Sequence, residues 1–290
     1  MAELISVIVS TYNREDALDA VLRSLARQTD RDFEVVVADD GSGPATAKLI
    51  EAWKPRISHR LEHVWQEDRG FRLAEIRNRA ILAARGAYCI FLDGDCIPRI
   101  DFVAAHRRLV DPGWFVAGNR VLLSRDFTSK ILKSGLEAEL WHFSDLVAAR
   151  LRGQVNRLAP LLSIPLGPLR KLRAKRWQAA RGGNVAIAKC DLIAVDGFDT
   201  AFSGWGREDS DIFIRLMRSG VRRKNGRFAT AVLHLWHREN DRSQLPENES
   251  RLDALIKSDR VCAERGLSLL ADASDVDEPG ADRALRQFKA

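Results

Sequence analysis

With 290 residues, of which 46% are apolar and 30% charged, the chain is long enough to bury a large core and has the composition of a globular protein. No apolar run reaches the roughly 20 residues of a membrane span, and without a signal-peptide or disulfide pattern we expect a cytoplasmic protein. The net charge is +6, but the segment 150–181 alone contains nine Lys and Arg and no acidic residue, so the rest of the chain is net negative. This uneven distribution excludes a uniformly basic nucleic-acid binder.

Short apolar runs alternate with helical patterns in the first half of the chain. Strands are predicted at residues 4–10, 33–38, 60–65 and 88–92. Helices are predicted between them, the first with Asn13 as N-cap and an apolar stripe that ends at Leu25, the others at residues 45–53 and 73–85. This alternation predicts an α/β fold with a mostly parallel central sheet.

Polar residues directly follow three of these strands. They are Thr11, Tyr12 and Asn13 after the first strand, Asp39 and Asp40 after the second, and Asp93, Gly94 and Asp95 after the fourth. Parallel strands end at one edge of a sheet, so we expect these groups to converge where open α/β sheets bind ligands. Asp93 and Asp95 would repel each other without a cation, and their oxygens suit Mg²⁺ or Mn²⁺ bound to a diphosphate. The alternative is an acidic turn without a metal.

The second half of the chain has a less regular pattern. A helix is predicted at residues 101–110, a strand at 114–123 and a helix at 128–149, before the basic segment. Beyond that segment, a strand is predicted at residues 181–188, a helical turn at 191–196, a helix that ends at Ser219, a strand at 228–235 and a surface helix at 246–266. The acidic C-terminal residues are predicted to form a frayed tail.

A tryptophan between two glycines precedes a pair of acids in this half. Gly204 and Gly206 flank Trp205, and Glu208 and Asp209 follow. Acids at a helix start suit the helix dipole and need no further role. A large aromatic ring held by glycines is nevertheless suited to stack on a sugar ring.

Two histidines, His234 and His237, follow at the end of the last predicted strand. A histidine there is either a hydrogen-bonded packing residue or, together with Asp95, a ligand of the metal, since imidazole also binds Mn²⁺. Residues three apart on a regular strand face opposite sides. We therefore expect only one of the two to be a ligand.

The motifs of the first half resemble the inverting family 2 glycosyltransferases of the GT-A type: Val-Ser-Thr-Tyr-Asn, Val-Ala-Asp-Asp-Gly-Ser, Arg-Asn-Arg-Ala and Phe-Leu-Asp-Gly-Asp. The later stretch Gly-Trp-Gly-Arg-Glu-Asp-Ser-Asp-Ile resembles the acceptor half of β-1,4-galactosyltransferases and of bacterial chondroitin-polymerase-like enzymes. The resemblance covers about residues 5–240. It implies a Rossmann-like, mostly parallel central sheet flanked by helices.

The resemblance also implies roles for the matching residues. A UDP-sugar donor is expected to contact Thr11, Tyr12, Asn13, Asp39, Asp40, Arg77, Asn78, Asp93 and Gly94. Mn²⁺ or Mg²⁺ is expected on Asp95, with Asp93 and one of His234 and His237, of which His234 is favoured. A saccharide or lipid-linked glycan acceptor is expected at Asn184, Gly204 and Trp205. Asp209 is expected to be the catalytic base of an inverting reaction, and Glu208 to orient the acceptor hydroxyls.

On this resemblance, residues 1–245 form the glycosyltransferase domain and residues 246–290 a helix and tail. The domain divides into a donor half at 1–123, a basic flexible insert at 124–181 and an acceptor half at 182–245. Leucines interspersed with cations in the basic segment predict a mobile loop that contacts an acidic or lipid-linked acceptor at an anionic membrane. Any helix there should be short and begin near Pro168. Nucleic acid is not expected, because stacking aromatics are sparse.

Two other functions stay open from the sequence. The Asp-Gly-Asp loop also resembles the nucleophile loop of haloacid-dehalogenase-type phosphatases, although Ile97 stands where those have Thr or Val. The other alternative is a non-catalytic binder of nucleotide-sugars or membranes. Such a binder would not need Asp95, Glu208, Asp209 and His234 together.

Overall fold

The structure, a computed structural model, describes residues 3–274. Within these residues the strands are β1 Ile5–Thr11, β2 Phe33–Asp39, β3 Leu61–Trp65, β4 Tyr88–Asp93, β5 Cys96–Pro98, β6 Trp114–Ala117, β7 Arg120–Leu122, β8 Asn184–Ala188, β9 Arg222–Asn225 and β10 Val232–His234. A seven-stranded sheet has the order β3-β2-β1-β4-β8-β6-β9, and a three-stranded sheet has the order β5-β10-β7.

The large sheet is mostly parallel, which confirms the prediction. Strands β3, β2, β1 and β4 pair in parallel, and so do β6 and β9, whereas β8 is antiparallel to both β4 and β6. The carboxyl ends of every strand except β8 therefore lie at one edge of the sheet, with the amino end of β8. We call this the carboxyl edge.

Helices cover both faces of the large sheet. They are α1 Glu15–Ala26, α2 Pro44–Trp53, α3 Leu73–Ala83, α4 Phe102–Leu109, α5 Arg125–Ser134, α6 Phe143–Leu151, α7 Lys189–Ala194, α8 Glu208–Arg218, α9 Leu245–Lys257 and α10 Leu267–Ser274. Val7 of β1 belongs to one buried apolar cluster with Leu18 of α1. Its neighbour Ile8 points to the other face and joins a second cluster with Ile76 of α3. Burial on both faces explains the continuous apolar runs of the central strands.

Several predicted elements are divided or shorter in the structure. Gly118 and Asn119 split the predicted strand at 114–123 into β6 and β7, which belong to different sheets. The predicted helix at 128–149 is two helices, because Gly135 adopts a left-handed φ of 64° and ends α5. The predicted strand at 228–235 is reduced to the three residues of β10. Strands β5 and β9 are additions to the prediction.

Asn13 does not cap α1, contrary to the prediction. The N-cap is Arg14, which makes no side-chain hydrogen bond to the helix. Asn13 has a φ of 46°, a conformation that asparagine tolerates. Its Oδ1 accepts a hydrogen bond of 2.9 Å from the backbone N of Gly43. The side chain therefore joins the loop after β1 to the loop before α2.

The basic segment contains short 3-10 helices at Ala159–Leu161, Gly167–Lys171 and Trp177–Ala179. The second begins next to Pro168, as predicted. Arg170 is 5% exposed and donates to the backbone carbonyls of Asn225 and Arg227, at 2.9 Å and 2.7 Å. These bonds hold the segment against the loop that follows β9. In residues 3–274 no helix is long and apolar enough to cross a membrane. The predicted tail at 275–290 lies outside the described residues.

Candidate active site

Asp95, His234 and His237 lie together at the carboxyl edge. Gly94 connects Asp95 to the end of β4, and the antiparallel pairing of β5 with β10 sets Cys96 opposite His234. The Nε2 atoms of His234 and His237 lie 3.5 Å and 3.4 Å from the two carboxylate oxygens of Asp95. The three potential ligand atoms are within 4.8 Å of one another. The three side chains can therefore coordinate one cation.

Both histidines, and not only one, face Asp95. The expectation of opposite faces fails because β10 ends at His234, so His237 lies beyond the regular strand. Nδ1 of His237 lies 2.6 Å from the backbone carbonyl oxygen of Arg238. A carbonyl accepts and cannot donate, so in the neutral ring Nδ1 carries the proton and Nε2 presents its lone pair towards Asp95.

The electrostatics of this group fit a divalent cation. Burial raises the pKa of Asp95, the charges of His234 and His237 oppose that rise, and the charge of Asp93 adds to it. Burial lowers the pKa of His234, which favours the neutral imidazole that metals bind. A divalent cation held by these three side chains would compensate the charge of the buried Asp95 carboxylate. Imidazole nitrogens combined with carboxylate oxygens are acceptable ligands for Mn²⁺.

Asp93, which was expected on the donor or the metal, lies between two arginines. Its Oδ1 accepts from Arg77 and its Oδ2 from Arg120, both at 3.2 Å. Arg77 is 1% exposed, and its Nη1 lies 3.5 Å from Oε1 of Glu208. Arg77 was expected near the sugar–diphosphate; its burial makes it a bridge between two carboxylates of the site.

Arg120 is a site residue that the sequence patterns do not reveal. It is the first residue of β7, and its side chain is 31% exposed. Burial lowers the pKa of Arg120, but the charges of Asp93, Asp95 and Asp209 raise it by more. The only sequence signal is a cation in the middle of a predicted apolar strand. Its position among three carboxylates makes it a candidate contact for an anionic ligand.

Glu208 and Asp209 are the first residues of α8, and their environments differ. Burial and the charge of Asp209 raise the pKa of Glu208 to about 7. Asp209 is half-buried, and its Oδ2 accepts a hydrogen bond of 3.0 Å from the backbone N of Gly182. Glu208 is therefore enclosed against Arg77, whereas Asp209 can be reached from solvent.

Gly182 and Gly183 allow these elements to approach one another closely. A Cβ atom on Gly183 would lie 1.9 Å from Oδ2 of Asp93, and one on Gly182 would lie 2.9 Å from Nη1 of Arg77. Neither distance is compatible with a side chain unless Asp93 or Arg77 moves. The predicted glycine turn before β8 is thus part of the site.

The two carboxylates at the end of β2, Asp39 and Asp40, are buried and hydrogen-bonded. Oδ2 of Asp39 lies 2.9 Å from Nε2 of His63. Asp40 accepts from the side chain of Gln66 at 2.6 Å and from the backbone N of Arg72 at 2.8 Å. Burial raises the pKa of Asp40 in spite of these bonds. Both side chains support the loops around the edge.

Of the two residues at the end of β1, Tyr12 is exposed and Thr11 is buried. Tyr12 is 48% exposed, and its hydroxyl donates to Asp68 at 2.8 Å. Thr11 is 7% exposed, and within the described residues its Oγ1 has no hydrogen-bond partner. The backbone N of Gly94 donates to the carbonyl of Ser10 at 2.7 Å, which holds the Asp-Gly-Asp turn against this strand. An aromatic ring and an unpartnered hydroxyl are thus next to that turn.

Asn78 and Asn184, expected on the donor and the acceptor, have structural contacts instead. Asn78 is fully buried, donates to the carbonyl of Phe198 at 2.7 Å and accepts from its backbone N at 2.8 Å. Asn184 is 1% exposed and donates to the carbonyls of Asn119 and Thr230 at 3.0 Å and 2.6 Å. Neither side chain presents a polar atom to solvent. Their burial gives no support to the expected contacts with donor and acceptor, which stay predictions.

Trp205 lies in a turn that precedes α8. Gly204 and Gly206 have φ values of 71° and 105°, which only glycine adopts without strain. The guanidinium of Arg242 lies 4.8 Å from the centre of the Trp205 ring. The residue is partly exposed.

Comparison with protein families identifies the chain. Residues 6–154, more than half of it, match the model described as glycosyl transferase family 2. The chain belongs to this family. Residues 170–238 of the same chain also match the model described as the N-terminal domain of galactosyltransferase. The first match includes Asp93 and Asp95, so it favours a glycosyltransferase over the phosphatase and the non-catalytic binder.

Curated relatives are longer than the family 2 chain, which spans about half of their length or less. Validoxylamine A glucosyltransferase of Streptomyces hygroscopicus subsp. limoneus is 32% identical over 229 residues, or 75% of this chain and 49% of that protein. Chondroitin synthase of Escherichia coli is 28% identical, over 74% of this chain and 32% of that protein. Hyaluronan synthase of Pasteurella multocida is 30% identical, over 74% and 23% respectively.

Solved structures share the fold at low sequence identity. S. aureus TarS 1–349 in complex with UDP has a TM-score of 0.58 and 17% identity, covering 91% of this chain and 67% of that one. The mannosyltransferase PcManGT of Pyrobaculum calidifontis, in complex with GDP-Man and Mn²⁺, has a TM-score of 0.56 and 18% identity, covering 99% and 79%. The fold is that of the GT-A glycosyltransferases, as predicted.

Proposed function

We propose that the chain transfers a hexose from a UDP-sugar to a hydroxyl group of a saccharide or lipid-linked glycan, in a reaction that needs Mn²⁺ or Mg²⁺. The observation that carries this proposal is the group of Asp95, His234 and His237, whose ligand atoms lie within 4.8 Å of one another. Membership of family 2 supports glycosyl transfer. Neighbours in complex with UDP and with GDP-Man support a nucleotide-sugar donor.

The donor would lie along the ends of β1, β2 and β4. Tyr12 offers an exposed ring, and Thr11 a hydroxyl without a partner in residues 3–274, for the base and the ribose. Asp39 and Asp40 support these loops from behind. Arg120 is the partly exposed cation beside Asp93, so we assign to it a contact with the diphosphate.

Asp95, His234 and His237 would hold the cation, with Asp93 next to them. When bound, a divalent cation neutralises the negative charge that develops on the departing diphosphate. Arg77 and Arg120 fix the orientation of Asp93, because each of its oxygens accepts from one of them. The buried Arg77 also keeps Glu208 at a fixed position relative to that carboxylate.

Asp209 is proposed as the general base. It takes the proton of the acceptor hydroxyl while the hydroxyl oxygen attacks the anomeric carbon opposite the diphosphate, so the configuration inverts. Within the described residues, Oδ2 accepts from the backbone N of Gly182 at 3.0 Å and Oδ1 from the hydroxyl of Ser210 at 3.2 Å, and Asp209 is partly exposed. The enclosed Glu208 is suited to orient acceptor hydroxyls, and Trp205 to stack on a sugar.

The experiment that tests the function is a panel of UDP-sugars and GDP-mannose incubated with the protein and Mn²⁺, with hydrolysis of each donor followed in the absence of acceptor. We expect hydrolysis of one UDP-sugar and its loss on chelation. Asp95→Asn should lower the rate by roughly 10³-fold, since a metal supplies several kcal/mol to such a reaction. Asp126→Asn, on the exposed surface of α5, is the matched control and should keep the wild-type rate. Release of phosphate from small esters without donor hydrolysis would contradict the proposal.

The cytoplasmic location and the contact with an anionic membrane stay predictions. Leu169 and Leu172 are 59% and 62% exposed among the cations of the basic segment, which supports contact of this segment with a partner. We therefore keep a lipid-linked acceptor within the proposal.

A further inference from the structure

A cavity of about 350 Å³ opens at the ends of β6 and β9, under the basic segment. Its lining includes four arginines and two leucines: Leu169, Leu172, Arg173, Arg176, Arg223 and Arg227. No acidic residue lines it. The volume is that of a small-ligand site, and the lining combines positive charge with apolar surface.

The four arginines have no ion-pair partner among residues 3–274. Two lysines nearby do have a partner: Lys171 and Lys224 both form ion pairs with Asp111, at 2.8 Å and 3.1 Å. The local carboxylate is thus used by the lysines, and the arginines of the cavity are left without one. A cluster of uncompensated cations attracts anions.

Arg223 is the most informative of them. It is 5% exposed, its Nε has no partner within the described residues, and its Nη2 reaches the carbonyl of Arg173 only at 3.3 Å. Burial, together with the charge of Arg176, lowers the pKa of Arg223. A buried guanidinium without a counter-ion costs stability. The presence of a buried, unpaired arginine at this position is explained if a bound ligand supplies the counter-ion.

The cavity lies on the same carboxyl edge as the active site. Asn119, in its lining, directly precedes Arg120, which donates to Asp93. On the other side, Ala179 lies three residues before Gly182, which donates to Asp209. Strands β6 and β9 are two and three positions from β4, so at the usual strand spacing the cavity is about 10–15 Å along the edge from Asp93.

We propose that this cavity binds an anionic group, a carboxylate or a phosphate, of the acceptor glycan. The proposal rests on the proposed glycosyl transfer and names the chemistry of its acceptor. An oligosaccharide whose hydroxyl reacts at Asp209 would extend along the edge to the arginines, with the apolar faces of its rings on the exposed Leu169 and Leu172. The depth of Arg223 favours a ligand that enters a cavity over a flat membrane surface.

Calorimetry at low salt tests the proposal with three probes: a tetrasaccharide that contains glucuronate, a glycerol-phosphate tetramer and a neutral N-acetylglucosamine tetramer. We expect one anionic probe to bind, with an affinity that falls as salt is added, and the neutral probe to bind at least about tenfold more weakly. The anionic probe that binds identifies the source of the charge. Equal binding of the neutral probe, or no binding of either anion, overturns the proposal.

Matched variants locate the binding. The double variant Arg173→Gln with Arg176→Gln removes two exposed cations of the cavity. It should lower the affinity for the anionic probe at least about tenfold. Arg150→Gln with Arg152→Gln removes the same charge from exposed sites outside the cavity and should change the affinity by less than about twofold. Equal losses in both pairs would mean non-specific attraction and overturn the proposal.

Two further measurements, vesicle binding and donor hydrolysis, distinguish an anion site for the acceptor from the alternatives. Vesicles of phosphatidylcholine and phosphatidylglycerol that bind wild type but not the Arg173/Arg176 pair, while neither oligosaccharide binds, would overturn it in favour of a membrane. Donor hydrolysis by wild type needs no acceptor and reports on the transferase alone. Hydrolysis without anion binding therefore refutes only the cavity ligand, and anion binding without hydrolysis refutes the transferase.

Discussion

The carboxyl edge of the large sheet carries opposite charges at its two ends. At the end formed by β1, β2 and β4, carboxylates have partners: the buried Asp39 has His63, and the partly buried Asp93 has Arg77 and Arg120. We call this the carboxylate end. At the end formed by β6 and β9, the arginines that line the cavity have no ion-pair partner in residues 3–274. We call this the arginine end.

The two ends differ in whether their charged side chains have partners within the protein. Paired charges stabilise the geometry of the site, whereas unpaired charges are available to bind a ligand. A buried charge with well-placed partners holds its neighbours in one geometry, and removing one partner is costly. A buried charge without a partner lowers stability, so its presence needs another explanation. At the carboxylate end, burial raises the pKa of Asp95 in spite of the opposing charges of His234, His237 and Arg120, and a cation fits among Asp95 and the two histidines.

The largest expected effect is on the reaction itself. Asp209→Asn keeps the shape of the side chain and removes the proton acceptor, so transfer should fall roughly 10²–10⁴-fold. Donor affinity, measured by calorimetry with Mn²⁺ and the active UDP-sugar, should stay unchanged because the role proposed for this carboxylate is towards the acceptor and not the donor. If Asp209→Asn transfers normally and Glu208→Gln does not, the enclosed carboxylate is the base and the assignment is reversed.

Arg215→Met tests the cost of breaking a paired buried charge. Arg215 and Asp211 are both fully buried in α8, and Nε of Arg215 donates to Oδ2 of Asp211 at 2.8 Å. The substitution leaves the buried Asp211 with only the longer ion pair to Arg260, at 3.6 Å, so the free energy of unfolding in urea should fall by about 3–5 kcal/mol. The double variant with Asp211→Asn should recover part of that loss. A loss in the double variant equal to the sum of the single losses would contradict the pairing.

Gly183→Ala tests the close approach that keeps Asp93 between its arginines. The added Cβ would lie 1.9 Å from Oδ2 of Asp93, so the carboxylate must move. The free energy of unfolding should fall by about 1–3 kcal/mol, and metal-dependent donor hydrolysis should fall with it. Gly43→Ala is the control, because Gly43 has a φ of −71° and its added Cβ meets nothing closer than 3.9 Å. Equal stability of the two variants would mean that Asp93 adjusts freely.

Most of the carboxylate end could be predicted from the sequence. Buried parallel strands are continuous apolar runs, and polar residues at their ends must meet at one edge, so Asp93, Asp95 and Asp39 follow from local patterns. The helix that begins at Glu208 also follows from local sequence, since its apolar face recurs at helical spacing.

The remaining parts of the site depend on contacts between distant residues. Arg120 reaches Asp93 only because the chain leaves the large sheet at Gly118 and Asn119 and starts a strand of the small one. His237 reaches Asp95 because β10 stops earlier than its apolar pattern suggests. Asn78 and Asn184 are buried because each donates a hydrogen bond to a backbone carbonyl that is distant in sequence. Periodicity carries no information on such tertiary contacts.

Arg223→Met has the smallest expected effect on stability, and its sign is the informative part. The side chain is 5% exposed and forms one long hydrogen bond, of 3.3 Å, to the carbonyl of Arg173, which lies at the surface where water can replace the donor. Methionine fills similar space without a charge, so the free energy of unfolding should stay unchanged or rise by up to about 1 kcal/mol. Affinity for the anionic oligosaccharide should fall in the same variant. A destabilisation similar to that of Arg215→Met, with anion affinity retained, would make Arg223 a structural residue and remove the contrast between the two ends of the edge.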